Sequence, residues 1–433
     1  MKRLLVATSI MVACNTYADS STVNTGSAMT LGPSSSPYSL SAASFNPAMN
    51  SLVLGKDEKM RMSYFPTFGF GFEMGQVDGF ADDLEELADI IDDPNNTSDD
   101  PSDVLDRFND VLVKAGDDGY FKFNLGINAP LLPLYIKSEL LGGTFGVDVS
   151  INTQASLSVL DNDLTFDQQN GSFATSTALY LKSGIEQSIS VSYSREVYYN
   201  NYGRLFAGSK LKFITMELSK QVIPLVELAG DEIDDLISDE FDKKQISSSD
   251  IGIDFGLVWD ADDYLLGLTL ENINSPEFEY GAVGTNCSSI QENTTARNNC
   301  EVARFFTDIT GEISANEKHT KHALIRADAL LKVTDRLQLS TAIDLAKYND
   351  ITGYDHQWFH AAIAYDSDWY VLPSVRAGYH KNLTGSETTS VTGGFTLFKV
   401  VNLDLEYGLD SVEVDGSSAP RRVGFTISVQ EQF

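Results

Sequence analysis

The C-terminal stretch Arg421-Arg422-Val423-Gly424-Phe425-Thr426-Ile427-Ser428-Val429-Gln430-Glu431-Gln432-Phe433 decides how this chain is read. Val423, Phe425, Ile427, Val429 and Phe433 fall on one face of a strand; Gly424, Thr426, Ser428, Gln430 and Gln432 fall on the other. Strand side chains alternate between two faces, so the segment has one apolar and one wet surface. A transmembrane barrel requires that arrangement, with lipid outside and water or polar side chains within. Phe425, Ile427, Val429 and the terminal Phe433 are expected to form the signal that the barrel-assembly machinery reads. A single half-buried strand of any antiparallel sheet looks the same, so recurrence and destination must carry the case.

Strand-like segments return from Met60 onward. Met60 to Glu73, Tyr120 to Asn128, Gly143 to Asn152, Ser172 to Lys182, Ile185 to Tyr193 and Arg204 to Ser219 come first. Ile251, Ile253, Phe255, Leu257 and Trp259 then alternate cleanly, as do Leu266, Leu268 and Leu270. Seven more runs follow, the last being the C-terminal strand, giving about fifteen candidates, most near the length a tilted spanning strand needs. A single-chain barrel with both ends on one side needs an even count, so Met60 to Glu73 or Ser172 to Lys182 is the false member. The expectation is an all-β protein, a transmembrane antiparallel β-barrel of about 14 strands with small acidic α-helical inserts.

Loop lengths agree. Outer-membrane barrels have short periplasmic turns and long external loops. Phe398-Lys399, Asp366 to Asp368, Thr334-Asp335 and Ala261 to Asp263 are short; Ser411 to Ala419, Lys381 to Thr389, Lys347 to Asp355 and Asn274 to Thr320 are longer. The alternation weakens upstream, where Glu196 to Tyr202 reads as too long for a periplasmic turn.

The N-terminus reads as a secretory signal over residues 1–18. Lys2 and Arg3 precede the apolar run Leu4 to Ala13, and Thr16-Tyr17-Ala18 offers a cleavage site. The alternative takes Met11-Val12-Ala13-Cys14 as a lipoprotein box with Cys14 lipidated. Either reading exports the chain, and no later apolar run is long enough for a spanning helix. The formal net charge of −32 argues against a nucleic-acid partner, which needs clustered Lys and Arg.

Two inserts are helical. Phe80, Leu84, Leu87 and Ile91 recur at helix spacing, as do Val104, Leu105, Phe108, Val111 and Leu112, with the breaker Asp92-Asp93-Pro94-Asn95-Asn96 between them. A second helical region is expected near 224–242, with Leu228, Ile233, Leu236, Ile237 and Phe241 apolar. The layout is then an extended N-terminal segment over 19–59, ending in an Asn46-Pro47-Ala48 turn, and a barrel over 60–433. The barrel carries helical inserts near 78–118 and 224–242 and a loop near 274–320. That loop holds Cys287 and Cys300, the pair left after signal removal, which in an exported chain favours a disulfide.

Catalytic and metal chemistry find little support. Asp92, Asp93, Asp99, Asp100 and Asp103 are dense enough to suggest Ca²⁺, but the Gly and terminal Glu of an EF-hand loop are missing. His356 and His360 stand four apart, yet the run around them alternates as a strand, so they are read as solvated strand-end side chains. No nucleophile elbow is present, and no catalytic residue or cofactor is expected. A rim cluster of two His with an Asp would revive an outer-membrane hydrolase.

At this point the chain resembles the TraF-like proteins of plasmid transfer operons, a family in turn similar to the FadL/TodX hydrocarbon transporters. Phe45-Asn46-Pro47-Ala48 resembles their N-terminal turn, and the acidic helical hairpin after the first strand is similar. So are Glu186 to Arg195 leading into Gly203 to Lys212, Ile251 to Gly256 followed by Leu266 to Asn272, and Arg376-Ala377-Gly378-Tyr379. The Gly-rich stretch that precedes the turn in the transporters has only a partial echo in Ala28 to Pro33, which counts against a transporter-like plug.

The resemblance implies a non-enzymatic envelope component of a conjugal transfer system in the outer membrane of a Gram-negative bacterium. Its implied partners are outer-membrane lipid, the barrel-assembly machinery and other transfer-system envelope proteins. The alternatives are a FadL-like channel for small or hydrophobic molecules and a secreted soluble β adhesin, which polar outward faces would mark.

Overall fold

Near the start of the chain, Phe68–Met74 pairs antiparallel with Arg422–Val429 at its end, Phe68 opposite Ile427 and Glu73 opposite Arg422. That pairing closes one continuous sheet on itself. The computed structural model describes residues 26–37, 39–55, 57–93, 97, 100–228, 245–367, 369, 373–414 and 416–429.

The barrel strands, in chain order, are β1 (Phe68–Met74), β2 (Tyr120–Asn128), β3 (Gly143–Leu160), β4 (Ala178–Asn200) and β5 (Gly203–Pro224). Then come β6 (Ile246–Asp260), β7 (Tyr264–Glu271), β8 (Leu324–Lys332), β9 (Leu337–Asp344) and β10 (Trp358–Tyr365). The last four are β11 (Ser374–Asn382), β12 (Thr389–Leu397), β13 (Val401–Gly408) and β14 (Arg422–Val429). Each pairs antiparallel with its neighbours in sequence, and β14 with β1, so the fourteen-strand closed barrel that the sequence predicts is the observed fold.

Every second residue faces out. Ile189, Phe213, Phe255, Leu266, Leu339, Phe395, Leu405 and Phe425 are exposed on the outer wall. Their strand neighbours Asp254, Arg326, Asp344, Arg376, Asp404, Glu406, Arg422 and Thr426 are buried within. An apolar outside and a charged inside invert a soluble fold and match a barrel in lipid. The soluble-adhesin alternative, which required polar outward faces, is overturned.

Several boundaries move. Ser172 to Lys182 and Ile185 to Tyr193 are not separate spanning strands: Ala178–Asn200 runs unbroken for 23 residues, and Ser172–Ala174 belongs to a small hairpin with Thr165–Asp167. This merger takes fifteen candidates to fourteen. Met60 to Glu73 is genuine but broken into Met60–Met62 and Phe68–Met74, with Met60 opposite Ile136 and Met62 opposite Leu134. Pro66 interrupts the one strand and Pro130 and Pro133 the other, because proline lacks the N–H that a ladder needs. Glu196 to Tyr202 is not a long turn. Val197, Tyr198 and Tyr199 extend β4 down to a two-residue connection before β5, with a bulge between Glu196 and Tyr198.

The predicted helical hairpin is α3 (Phe80–Asp92) and α4 (Pro101–Asp118), at the end of the barrel that carries the longer loops. The N-terminal helices α1 (Ala28–Leu31) and α2 (Leu40–Phe45) precede it in sequence. Asp100 caps α4, accepting the Ser102 N–H at 3.1 Å. Leu84, Leu87, Val104, Phe108 and Leu112 pack on Leu157, Leu179, Leu181 and Ile223 of β3 to β5. Burying each such side chain contributes roughly 1.5–3 kcal/mol, while the acidic face stays in water. Of the second insert only a single turn, Leu225–Leu228, lies among the described residues; 229–244 lie outside them. Residues 1–25 and Phe433 also lie outside, so the signal, Cys14 and the terminal aromatic have no structural account here.

Candidate functional site

The lumen is the candidate site, and the chain's own N-terminus fills its short-turn half. Residues 26–55, expected to be extended, instead fold as α1, α2 and a 3-10 turn, Pro47–Ser51, inside the wall, because the barrel encloses them. The missing Gly-rich signature therefore did not mean a missing plug. This plug contains no Asp, Glu, Lys or Arg. The wall supplies the charge and the plug supplies hydroxyls and backbone groups.

Around the seat, Ser35 N donates to Asp328 Oδ2 at 2.7 Å, and Thr426 Oγ1 donates to Gly26 O at 2.9 Å. Asn50 Nδ2 donates to Ser192 Oγ at 2.7 Å, and Ser51 N donates to Ser194 Oγ at 2.9 Å. Thr30 donates to Asp404, while Arg61 Nη1 donates to Val53 O at 2.7 Å. Asn46 stitches its own turn, accepting from Ala48 N at 3.0 Å and donating to Leu257 O of β6 at 3.3 Å. The predicted Asn46-Pro47-Ala48 turn is thus an anchor against the wall rather than a linker. The buried hydroxyls of Ser34 and Ser36 find no partner among the described residues.

Beyond the plug the wall is belted with ion pairs. Arg422 lies between Glu73 at 2.6 Å and Glu406 at 2.8 Å, joining β14 to β1 and β13. Arg326 is held between Glu271 at 2.7 Å and Asp344 at 2.8 Å, and Arg376 pairs with Asp404. Lys122 reaches Asp350 at 2.9 Å. Buried charges survive in a low-dielectric setting only when paired, so this belt fixes the wall's shape and its polarity together.

The long-loop mouth is also narrowed. Ile214, Met216 and Leu218 point inward from β5 and meet Phe278, Tyr280 and Ile351, carried by loops folded into the opening. Cys287 and Cys300 do form a disulfide, with Cα atoms 5.5 Å apart, within the longer of those loops. A cavity of about 500 Å³ lies at the short-turn end, bordered by Leu52, Leu54, Lys137, Arg204, Asp260 and Lys332. Another, of about 350 Å³, lies at the long-loop end beside Tyr180, Lys182, Glu317 and Tyr354.

Other expectations fare less well. Asp92 and Asp93 end α3, Asp100 and Asp103 start α4, and Asp99 lies outside the described residues. Among the described residues no group of three or more His, Cys, Asp or Glu converges to hold a metal. His356, His360 and His380 are not solvated but buried in the lumen. The sequence reading failed because it placed them at strand ends, whereas alternation turns them inward. His356 Nε2 meets Asp350 at 3.1 Å and Lys122 at 3.0 Å, and Nδ1 faces Asn382 at 3.3 Å, so both ring nitrogens are occupied. The lumen residues Arg326, Arg376, Asp404 and Arg422 were missed, although charges at every second position of an otherwise apolar strand mark them.

A neutral plug seated in a charged, lipid-facing barrel defines a class: an outer-membrane β-barrel that holds a segment of its own chain, residues 26–55, within its lumen. Residues 43–344, well over half of the chain, match the family described as the F plasmid transfer operon TraF protein. The chain belongs to that family. No curated protein matches the sequence. Among solved structures, a TodX monoaromatic hydrocarbon channel, a deltaS2 mutant, is 11% identical with a TM-score of 0.51, covering 95% of this chain and 99% of its own. A FadL homologue from Pseudomonas aeruginosa is 13% identical with a TM-score of 0.42, covering 96% of this chain and 98% of its own. At such identities the first likeness speaks to the fold alone.

Proposed function

We propose that this protein is a non-enzymatic channel of the outer membrane, exported and inserted there, in which residues 26–55 are the gate for small molecules. One observation carries the reading: an uncharged segment sits inside a charged lumen while leaving buried serine hydroxyls unpartnered. Unpartnered buried polar groups cost stability, so the closed state is held less tightly than its buried area implies. Cavities on both sides of the plug give a solute somewhere to wait. In outer-membrane barrels the short turns face the periplasm, so the plug closes the periplasmic half and the disulfide loop guards the outer mouth. The TodX structure of similar fold is a monoaromatic hydrocarbon channel; the polar wall here favours cargo with a polar group. The test is planar-bilayer conductance of the full chain against a variant lacking residues 26–55. The intact protein should conduct poorly and the deletion should open steps of uniform size. A folded deletion variant as tight as the parent would overturn the gate.

Family membership favours a second reading, in which the barrel is an envelope component of a plasmid transfer system, working beside other envelope proteins and not on DNA itself. The acidic balance supports the exclusion of DNA. Mating efficiency of a donor lacking this protein, with and without complementation, tests it; unchanged transfer would count against it.

A further inference from the structure

Lys182 and Lys220 stand directly opposite one another on β4 and β5. Both point inward near the outer mouth, and their side chains are 7% and 0% exposed. Like charges facing each other across a strand pair are destabilising, and buried ammonium groups need anionic partners. Among the described residues the two share one carboxylate within ion-pair distance, that of Glu317, at 2.7 Å from Lys182 and 3.5 Å from Lys220. The Ser314 carbonyl accepts from Lys220, and both ammonium groups lie over the Tyr280 ring, at 4.6 Å and 6.0 Å. Two cations therefore meet one full anion.

That anion is not part of the wall. Glu317 is carried by the same inward-folded loop that holds the disulfide, and it borders the 350 Å³ cavity together with Lys182, Tyr180, Tyr354 and Ser156. Glu312 borders the cavity from the same loop, but among the described residues the ion pairs of both lysines go to Glu317. The cavity thus offers the Lys182 ammonium, hydroxyls and two aromatic rings beside the Glu317 carboxylate, which also reaches the Lys220 ammonium and which a mobile partner could replace.

We infer that the Lys182–Lys220 pair is a capture site for small carboxylates at the outer mouth, and that Glu317 is its built-in occupant, exchanged when a solute arrives. The solute's carboxylate takes the place of Glu317 between the two ammonium groups, and a flat apolar body lies against Tyr180 and Tyr354. Glu317 and its loop are released into the opening. The inference names a solute class for the channel reading and rests on it for its purpose. Binding is measured without transport, so either can fail alone.

The probe is benzoate, titrated into the full-length barrel in detergent and followed by calorimetry, with benzamide as the uncharged comparison. Folding of each variant is checked by heat-shifted gel mobility. Benzoate should saturate a single site and benzamide should not. Lys182→Gln and Lys220→Gln should each weaken benzoate about tenfold or more, since each removes a charge-assisted hydrogen bond. Glu317→Gln should tighten it several-fold, because the internal competitor has lost its charge. A merely structural Glu317 predicts the opposite sign. The inference is overturned if Glu317→Gln leaves benzoate binding unchanged or weaker, if either lysine variant binds as the parent does, or if benzamide binds as well as benzoate.

Discussion

Gly208 of β5 and Gly256 of β6 lie directly opposite each other, and together they make the seat for Asn46-Pro47-Ala48. A Cβ on Gly256 would overlap Asn46 Oδ1, and one on Gly208 would overlap the Pro47 carbonyl. A glycine inside a strand weakens it and marks a close approach of other backbone. Gly256→Ala is therefore expected to push the turn off the wall. The cost should be about 1–3 kcal/mol, as for overpacking elsewhere. It should read out as a lower thermal transition together with a raised basal ion leak in bilayers. A stable variant with no leak would show that the plug does not bear on this seat.

Arg422 is shared by two buried acids, Glu73 and Glu406, so its loss leaves both without their cation. Arg422→Met should destabilise the barrel by about 3–5 kcal/mol, the usual consequence of breaking a buried pair from one side. The temperature at which the folded band is lost on a gel measures it. Replacing Glu73 and Glu406 by Gln in the same background should recover part of the loss.

Leu405 is 63% exposed on the outer face of β13, between inward-pointing Asp404 and Glu406. A charge on the lipid face costs about 2–4 kcal/mol near the membrane centre. Leu405→Arg should insert poorly into liposomes while its detergent-folded form remains soluble. Normal insertion would place this face away from hydrocarbon.

Burial alone would raise the Glu317 carboxyl, but Lys182 and then Lys220 hold it below the usual glutamate range. A carboxyl whose folded-state pKa is depressed contributes stability above its unfolded value, about 4.3, and loses it as pH falls through the lower folded value. Closure of the 311–320 segment should thus persist at neutral pH and loosen only below about pH 4. Amide exchange across that segment reports it. Loosening between pH 5 and 7 would contradict the assignment.

Cys287 and Cys300 close a segment with a sequence separation of 13, which stabilises by about 3 kcal/mol in the chain-entropy account. The effect should be local, because the loop lies outside the barrel ladder. Cys287→Ser with Cys300→Ser should admit protease cleavage between 288 and 299 while leaving the barrel's thermal transition within a degree or two of the parent.

The sequence by itself determined the wall. Side-chain alternation is a local property, so the run from Val423 to Val429 announces an apolar and a wet face without reference to anything else. The same holds for Ile251 to Trp259. It could not tell one long strand from two, as with Ala178–Asn200, because Ser183-Gly184 carries turn chemistry although the ladder runs straight through it. Only the tertiary structure decided what fills the lumen. A segment with neither charge nor period, such as residues 26–55, carries no local sign of its partners, and its contacts with Asp328, Asp404 and Thr426 form only once the barrel encloses it. The ion pairs belong there too. Glu73 and Arg422 stand 349 residues apart and meet because closure brings the first strand against the last.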